Sequence, residues 1–296
     1  MKGSNMWAIG ALLYGLLKGA REIFKKKAMT RNSRTEVLFF YSVFSFIFIL
    51  PATPACIRID PVLLIPVFLK SLVLFAAWSL SFTAVEKLPV GTYGVIDLSR
   101  VIFSILLSVI ILGEKMTVYR TVGLILVCGG LLMMQYHSHS GKESPEKEDT
   151  RIPVKYIILV LAANIFNAIS SIIDKKALAT DLTSLQMLYW YMLFMIPMHG
   201  VRLLLRRSEK EESLHLRSAL KNKYLWALSG TFVLAEYIIF RSTAIEGSLI
   251  SVMTLMKQSA CIVTIIGGKL FFGEKNIRKK LLCAAVVITG IVISAL

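Results

Sequence analysis

The chain has 296 residues, a formal net charge of +16, and 56% hydrophobic against only 18% charged residues. Its mean hydropathy is +0.68. A soluble domain carries about 25% charged residues and a disordered chain few apolar ones, so the composition excludes both and points to a membrane protein. A spanning helix uses ~20 mostly apolar residues, so about ten would fill the chain and leave short connections.

Ten apolar stretches follow one another, none with the alternation of barrel strands. Segment 1 (Met6–Ala28) places Lys18, Arg21, Glu22 and Lys25 at i, i+3, i+4 and i+7, one helical face that Tyr14 extends by a turn. It has the outline of a signal peptide, but Lys18 stands where a cleavage region needs small neutral residues, so it is taken as a first span. Lys25, Lys26, Lys27, Arg31 and Arg34 then form an interfacial basic cluster. Segment 2 (Thr35–Ile57) is uncharged through most of its length. Segment 3 (Val62–Ala84) carries Lys70, read as snorkelling to the headgroups, with Trp78 and Ser81. Segment 4 (Pro89–Leu112) lines Tyr93, Asp97, Arg100, Ser104 and Ser108 along one face. Segment 5 (Val118–Tyr136) has Gly123, Gly129 and Gly130 and almost no charge.

A polar linker at 137–153 separates the halves. Segment 6 (Val154–Ala177) carries Asn167, Ser170, Ser171 and Asp174, and segment 7 (Ser184–Leu205) carries Gln186, Tyr189 and Trp190. Segment 8 (Lys223–Ala244) has Ser229, Glu236 and Thr243, and segment 9 (Ser248–Phe272) has Lys257, Cys261, Thr264 and Gly268. Segment 10 (Arg278–Leu296), with Ala284, Ala285 and Gly290, is expected to pack closely, as segment 5 is. Glu86, Arg241 and Glu246 lie near segment ends and read as interfacial. The four cysteines (Cys56, Cys128, Cys261, Cys283) have no metal spacing and read as small packing residues.

The halves repeat. Gly113-Glu114-Lys115 recurs as Gly273-Glu274-Lys275, 160 residues on, and Lys26-Lys27-Ala28 recurs as Lys175-Lys176-Ala177, 149 residues on. At the shorter offset the polar face of segment 1 meets Asn167, Ser170, Ser171 and Asp174; at the longer one Asp97 meets Lys257. Five spans per copy is odd, so the second copy enters the membrane from the opposite face. The expected fold class is therefore an all-α membrane protein of ten transmembrane helices, two inverted five-helix repeats at 1–136 and 154–296, an architecture of secondary transporters.

The 5+5 plan, the Gly-Glu-Lys turn closing segments 4 and 9, and a Gly-rich last segment in each half resemble the EamA-type branch of the drug/metabolite transporter superfamily. Phe24-Lys25-Lys26-Lys27-Ala28 and Ile173-Asp174-Lys175-Lys176-Ala177 sit where that family has a lysine near the end of the first helix. The resemblance implies a transporter. Members export amino acids, metabolites or drugs, or carry nucleotide sugars. Small multidrug-resistance relatives use a lone glutamate in the first helix and a tryptophan in the third, parts that Glu22 and Trp78 could take. Here Lys18, Arg21 and Lys25 share the face of Glu22, a departure that argues against multidrug export.

A charge at bilayer depth costs on the order of 3 kcal/mol, so each needs a partner or a polar cavity. The expected substrate and coupling cavity is formed by Tyr14, Lys18, Arg21, Glu22, Trp78, Tyr93, Asp97, Arg100, Asn167, Ser171, Asp174, Glu236 and Lys257. Its deep charges are of both signs, which suits a small polar metabolite such as an amino acid or organic anion. The function read from this is a secondary transporter, an exporter working by alternating access around a midplane cavity. The alternatives are a multidrug or cationic-compound exporter, or a membrane channel. Glu22, Asp97 and Glu236 are candidates for coupling to protons. The sequence has no His- or Asp-rich cluster at ligand spacing and no Gly-x-x-x-x-Gly-Lys-Ser/Thr loop, so no enzyme activity, metal or cofactor is expected. The expected partners are a small-molecule substrate, the lipid bilayer and protons, with no nucleic acid; the chain is read as a monomer or weak dimer in the cell (inner or plasma) membrane. The connections after segments 1, 5, 7 and 9 hold most of the basic excess, which places both termini outside the cytoplasm by the positive-inside rule. The resemblance implies cytoplasmic termini.

Overall fold

The computed structural model describes residues 6–85, 88, 96–139, 154–210, 216–272 and 277–295, and among them it is helical with no strand. The helices are α1 (Met6–Ala28), α2 (Arg34–Ile49), α3 (Thr53–Cys56), α4 (Pro61–Val85), α5 (Ser99–Leu112), α6 (Val118–His139) and α7 (Val154–Ala177). They continue as α8 (Ser184–Lys210), α9 (Leu216–Lys221), α10 (Lys223–Ala244), α11 (Ile250–Met256), α12 (Ala260–Phe272) and α13 (Ile277–Ser294). Tyr93, the second Gly-Glu-Lys turn and most of the linker lie outside the described residues.

Local sequence explains the ends. α1 and α7 both finish at the alanine of Lys-Lys-Ala, Ala28 and Ala177. The next long helix in each half opens on a capping box. Ser33 accepts the Glu36 amide while Glu36 accepts that of Ser33, and Thr183 and Gln186 exchange the same two bonds. Each box satisfies two amides that a helix start leaves unpaired. Two predicted segments are interrupted. Pro51 lacks an amide hydrogen, and a 3-10 turn (Leu50–Ala52) separates α2 from α3. Another (Lys257–Ser259) separates α11 from α12. At the 160-residue offset its last residue, Ser259, is the equivalent of Ser99, where α5 begins.

Counting α2 with α3 and α11 with α12, five helices among the described residues are long and apolar enough to cross a membrane: Thr35–Cys56, Pro61–Ser81, Val154–Ala177, Ser184–Leu205 and Ile250–Phe271. Ser99–Leu112 and Val118–Met134 are shorter apolar helices.

The chain divides into two compact units, each drawn from both halves of the sequence. The first holds Met1–Phe75 and Ile173–Ser248, the second Ala76–Ile172 and Leu249–Leu296. In the first unit α10 packs against α1, α2 and α8, and α2 against α8, over a core that includes Phe44, Met187, Met192, Phe232 and Phe240. In the second unit α6 packs along α13, and α11 along α5.

The α6–α13 contact bears out the expectation of close packing. A β-carbon on Gly123 would stand 2.6 Å from the Gly290 carbonyl oxygen, and one on Gly130 would stand 3.0 Å from the Cys283 carbonyl oxygen. Gly129, on the same helix, has nothing within 4 Å. Gly123→Ala is expected to cost about 1–3 kcal/mol, because backbone must move to admit the methyl group. Gly129→Ala is expected to be neutral or stabilising by up to about 1 kcal/mol. Thermal unfolding of the two variants in detergent checks the contrast.

Candidate functional site

On α10, Phe232, Glu236 and Phe240 follow at four-residue intervals, so they form one stripe with about 6 Å between successive positions. Two ion pairs lie along that stripe. At its centre Glu236 Oε1 accepts hydrogen bonds from Arg21 Nη1 and from the Tyr14 hydroxyl, each at 3.2 Å. The Arg21 guanidinium also lies over the Phe232 ring, 5.0 Å from its centroid, and Tyr41 meets that ring edge-on at 4.8 Å. One turn along, the Lys70 ammonium donates to Asp174 Oδ1. It is flanked by the Phe240 ring at 4.6 Å and the Tyr191 ring at 5.0 Å. Helices α1, α2, α4, α7, α8 and α10 each contribute a residue, all within the first unit.

These groups are shielded. Side-chain exposure is 14% for both Arg21 and Glu236, 15% for Asp174 and 2% for Lys70. Charges held this far from water are tolerated only when paired, hydrogen-bonded or laid against ring faces, and each of these has at least one such partner. A network of two cations, two carboxylates and phenolic hydroxyls offers donors and acceptors to a ligand carrying both signs of charge.

Of the predicted cavity residues, Tyr14, Arg21, Asp174 and Glu236 are brought together here. Glu22 is not. The sequence pattern puts it at depth, yet its side chain is 45% exposed and pairs with Lys25 at 3.6 Å, because it lies next to Arg21 but about 100° round the helix. Lys18 lies half-buried on α1 in the same unit. The remaining described residues belong to the second unit. Asp97 and Arg100 form an ion pair at 3.3 Å, one turn apart, with about a third of each side chain exposed. Buried Asn164 donates to the Ile96 carbonyl at 3.2 Å and to Ser99 Oγ at 3.0 Å, fixing the start of α5. Asn167 and Ser171 bond back to their own helix, at the carbonyls of Ala163 and Asn167. Trp78 is half-buried on α4, and Lys257 is half-buried in the turn between α11 and α12.

Lys70 is the principal residue that sequence reasoning missed, and the snorkelling reading is overturned by its burial and its partner. The available signal was depth. Lys70 lies nine residues into α4, roughly 13 Å from its start, beyond what its side chain can span to reach headgroups. In sequence Glu114 stands out only as part of a recurring turn, yet it is buried and accepts from the amides of Ile250 and Ser251. Lys175 caps the end of α10 by donating to the carbonyls of Thr243 and Ile245 and to Ser248 Oγ. Gln186, Tyr189 and Trp190 tie α8 to the end of segment 2: Gln186 donates to the Arg58 carbonyl, Trp190 to the Cys56 carbonyl, and Tyr189 accepts from Thr53.

Residues 5–136 match the EamA-like transporter family. No curated protein matches the sequence. A solved structure described only as a crystal structure of protein is similar over 99% of this chain and 96% of its own, with a TM-score of 0.74 and 12% identity. At that identity what is shared is the fold.

Proposed function

We propose, from the match of residues 5–136 to the EamA-like transporter family, that the chain is a secondary transporter exporting a small polar metabolite, an amino acid or an organic anion. The match over residues 5–136, together with the apolar helices, supports reading the chain as a multi-pass membrane transporter of the drug/metabolite superfamily. The finer reading places it in the plasma membrane, with ten spans in two inverted repeats at 1–136 and 154–296, working by alternating access. The matching helix ends at Ala28 and Ala177, the paired capping boxes, and the start of α5 at Ser99, equivalent to Ser259 where the 3-10 turn ends, support the repeat. An interrupted helix such as α11–α12 is a recurring device of transporter binding sites.

The observation that carries the substrate reading is the double ion pair along α10. A substrate carboxylate competes with Glu236 and Asp174 for Arg21 and Lys70; a substrate ammonium competes with the cations for the two acids. The rings of Phe232, Phe240 and Tyr191, which lie against the two cations, offer an apolar surface to the rest of the substrate. A lipophilic cation would instead need a carboxylate without a competing partner.

Purified protein in proteoliposomes is expected to take up a zwitterionic amino acid or an organic acid, in preference to nucleotide sugars and lipophilic cations, and to concentrate it against an ion gradient. Purely downhill flux would indicate a channel. Glu236→Gln, which keeps the shape but removes the charge facing Arg21, is expected to lower transport at least ten-fold, or by about 1.4 kcal/mol. An unchanged rate in folded, monodisperse Glu236→Gln protein would remove the network from the transport cycle.

A further inference from the structure

At one end of the first unit, two distant parts of the chain are joined by a single buried side chain. Asn222, 1% exposed, donates from Nδ2 to the Ala28 carbonyl and to Asn32 Oδ1, both at 3.1 Å, and its own Oδ1 accepts from the Tyr224 amide. The end of α1, the start of α2 and the start of α10 therefore meet there. Cations flank each of the joined residues: Lys27 precedes Ala28, Arg31 precedes Asn32, and Lys221 and Lys223 stand on either side of Asn222. Arg31, Lys221 and Lys223 are exposed. The acid nearest in sequence to this junction, Glu36, is buried and accepts from the Ser33 amide and from Asn32, so its carboxylate is turned to the helix start and not outward.

Helix α9 completes the surface. It buries Ala219 and turns outward Leu216 (49% exposed) and Leu220 (50% exposed), interleaved with the exposed cations Arg217 and Lys221. The Trp226 indole pins its end by donating to the Leu220 carbonyl at 3.0 Å. Short leucine-and-cation helices lying where spans end are suited to the boundary between headgroups and acyl chains.

We infer that this junction is a docking site for anionic phospholipid headgroups. The cations gather the phosphate, and the leucines of α9 enter the acyl boundary beside it, a combination that a freely soluble anion would not exploit. The end of α1 then faces the anionic leaflet and its start the opposite side of the membrane. The inference is independent of the substrate reading.

The test compares unfolding temperature in nanodiscs of phosphatidylcholine alone and mixed with phosphatidylglycerol, together with the phosphatidylglycerol retained through purification, read by native mass spectrometry. Phosphatidylglycerol is expected to raise the unfolding temperature of the native chain and of an Arg58→Gln/Arg241→Gln control, whose lost cations lie away from the junction. In the variant Lys27→Gln/Arg31→Gln/Lys221→Gln/Lys223→Gln the rise is lost and retained lipid falls at least ten-fold, since each cation near an anionic surface is worth about five-fold, or about 1 kcal/mol. If that variant does not fold, Lys221→Gln/Lys223→Gln serves, with at least a five-fold fall. Equal retention in the junction variant overturns the inference. So does an equal loss in the control, or the same stabilisation by inorganic phosphate in phosphatidylcholine.

Discussion

Lys70→Met is expected to lose about 3–5 kcal/mol of stability, the largest effect among single substitutions in the first unit. The change is close in volume and leaves packing against Phe240 and Tyr191 largely intact, so the loss comes from Asp174. That carboxylate, 15% exposed, would be left without the ammonium that balances it. Folded proteins hold only about 5–15 kcal/mol in reserve, so a marked fall in folded yield follows. Replacing both partners, Lys70→Met with Asp174→Leu, removes the stranded charge together with its desolvation cost, and stability should return to near the native value. Thermal unfolding of the two singles and the double in detergent measures the coupling. Transport by the double variant then separates two roles. A pair that only supports the fold would leave transport intact once stability returns; a pair in the binding network, as proposed above, leaves a folded protein that does not transport.

Glu114→Ala is the second large expectation, at about 3 kcal/mol. Gly113 ends α5 in the left-handed conformation, with φ of 68°, and the Glu114 amide closes the turn onto the Ser108 carbonyl. This turn delivers the Glu114 carboxylate to the start of α11. There it accepts from the Ile250 amide at 2.6 Å, the Ser251 amide at 2.9 Å and the Ser251 hydroxyl. Leu249, at the cap position of α11, makes no side-chain capping bond, so a carboxylate from a distant turn does the capping. A negative group there also meets the positive end of the helix dipole. Alanine leaves those donors buried and unpaired, at about 1–3 kcal/mol for each that water cannot reach. Glu114→Gln retains one acceptor oxygen without the charge and should cost roughly half as much. Unfolding temperature gives the magnitude, and faster hydrogen exchange at Ile250 and Ser251 locates it.

Much of the helix plan was legible because apolar run length and flanking charge are local signals. Segments 1, 6 and 8 coincide with α1, α7 and α10 at both ends. The breaks in segments 2 and 9 were not read. One rests on Pro51, deep in an apolar run, and the other on a 3-10 turn at Lys257–Ser259 that no glycine or proline marks. At the site, the demand that a deep charge have a reason selected Arg21, Asp174 and Glu236. It could not assign partners, since periodicity defines a face and not the neighbour opposite it. Arg21 and Glu236 are 215 residues apart, and Lys70 and Asp174 are 104 apart. The same limit placed Glu22 in the cavity with Arg21, although adjacent residues on a helix point in different directions.

The glycines between α6 and α13 have a consequence for how the second unit can deform. At Gly123 against Gly290 and Gly130 against the Cys283 carbonyl, main chain closely approaches main chain, with Ser294, Val287 and Val127 side chains packed beside the contacts. Backbone has no rotamer to change, so these contacts oppose sliding one helix lengthwise past the other. The two are therefore expected to move together, with bending within this unit concentrated at interrupted places such as Lys257–Ser259.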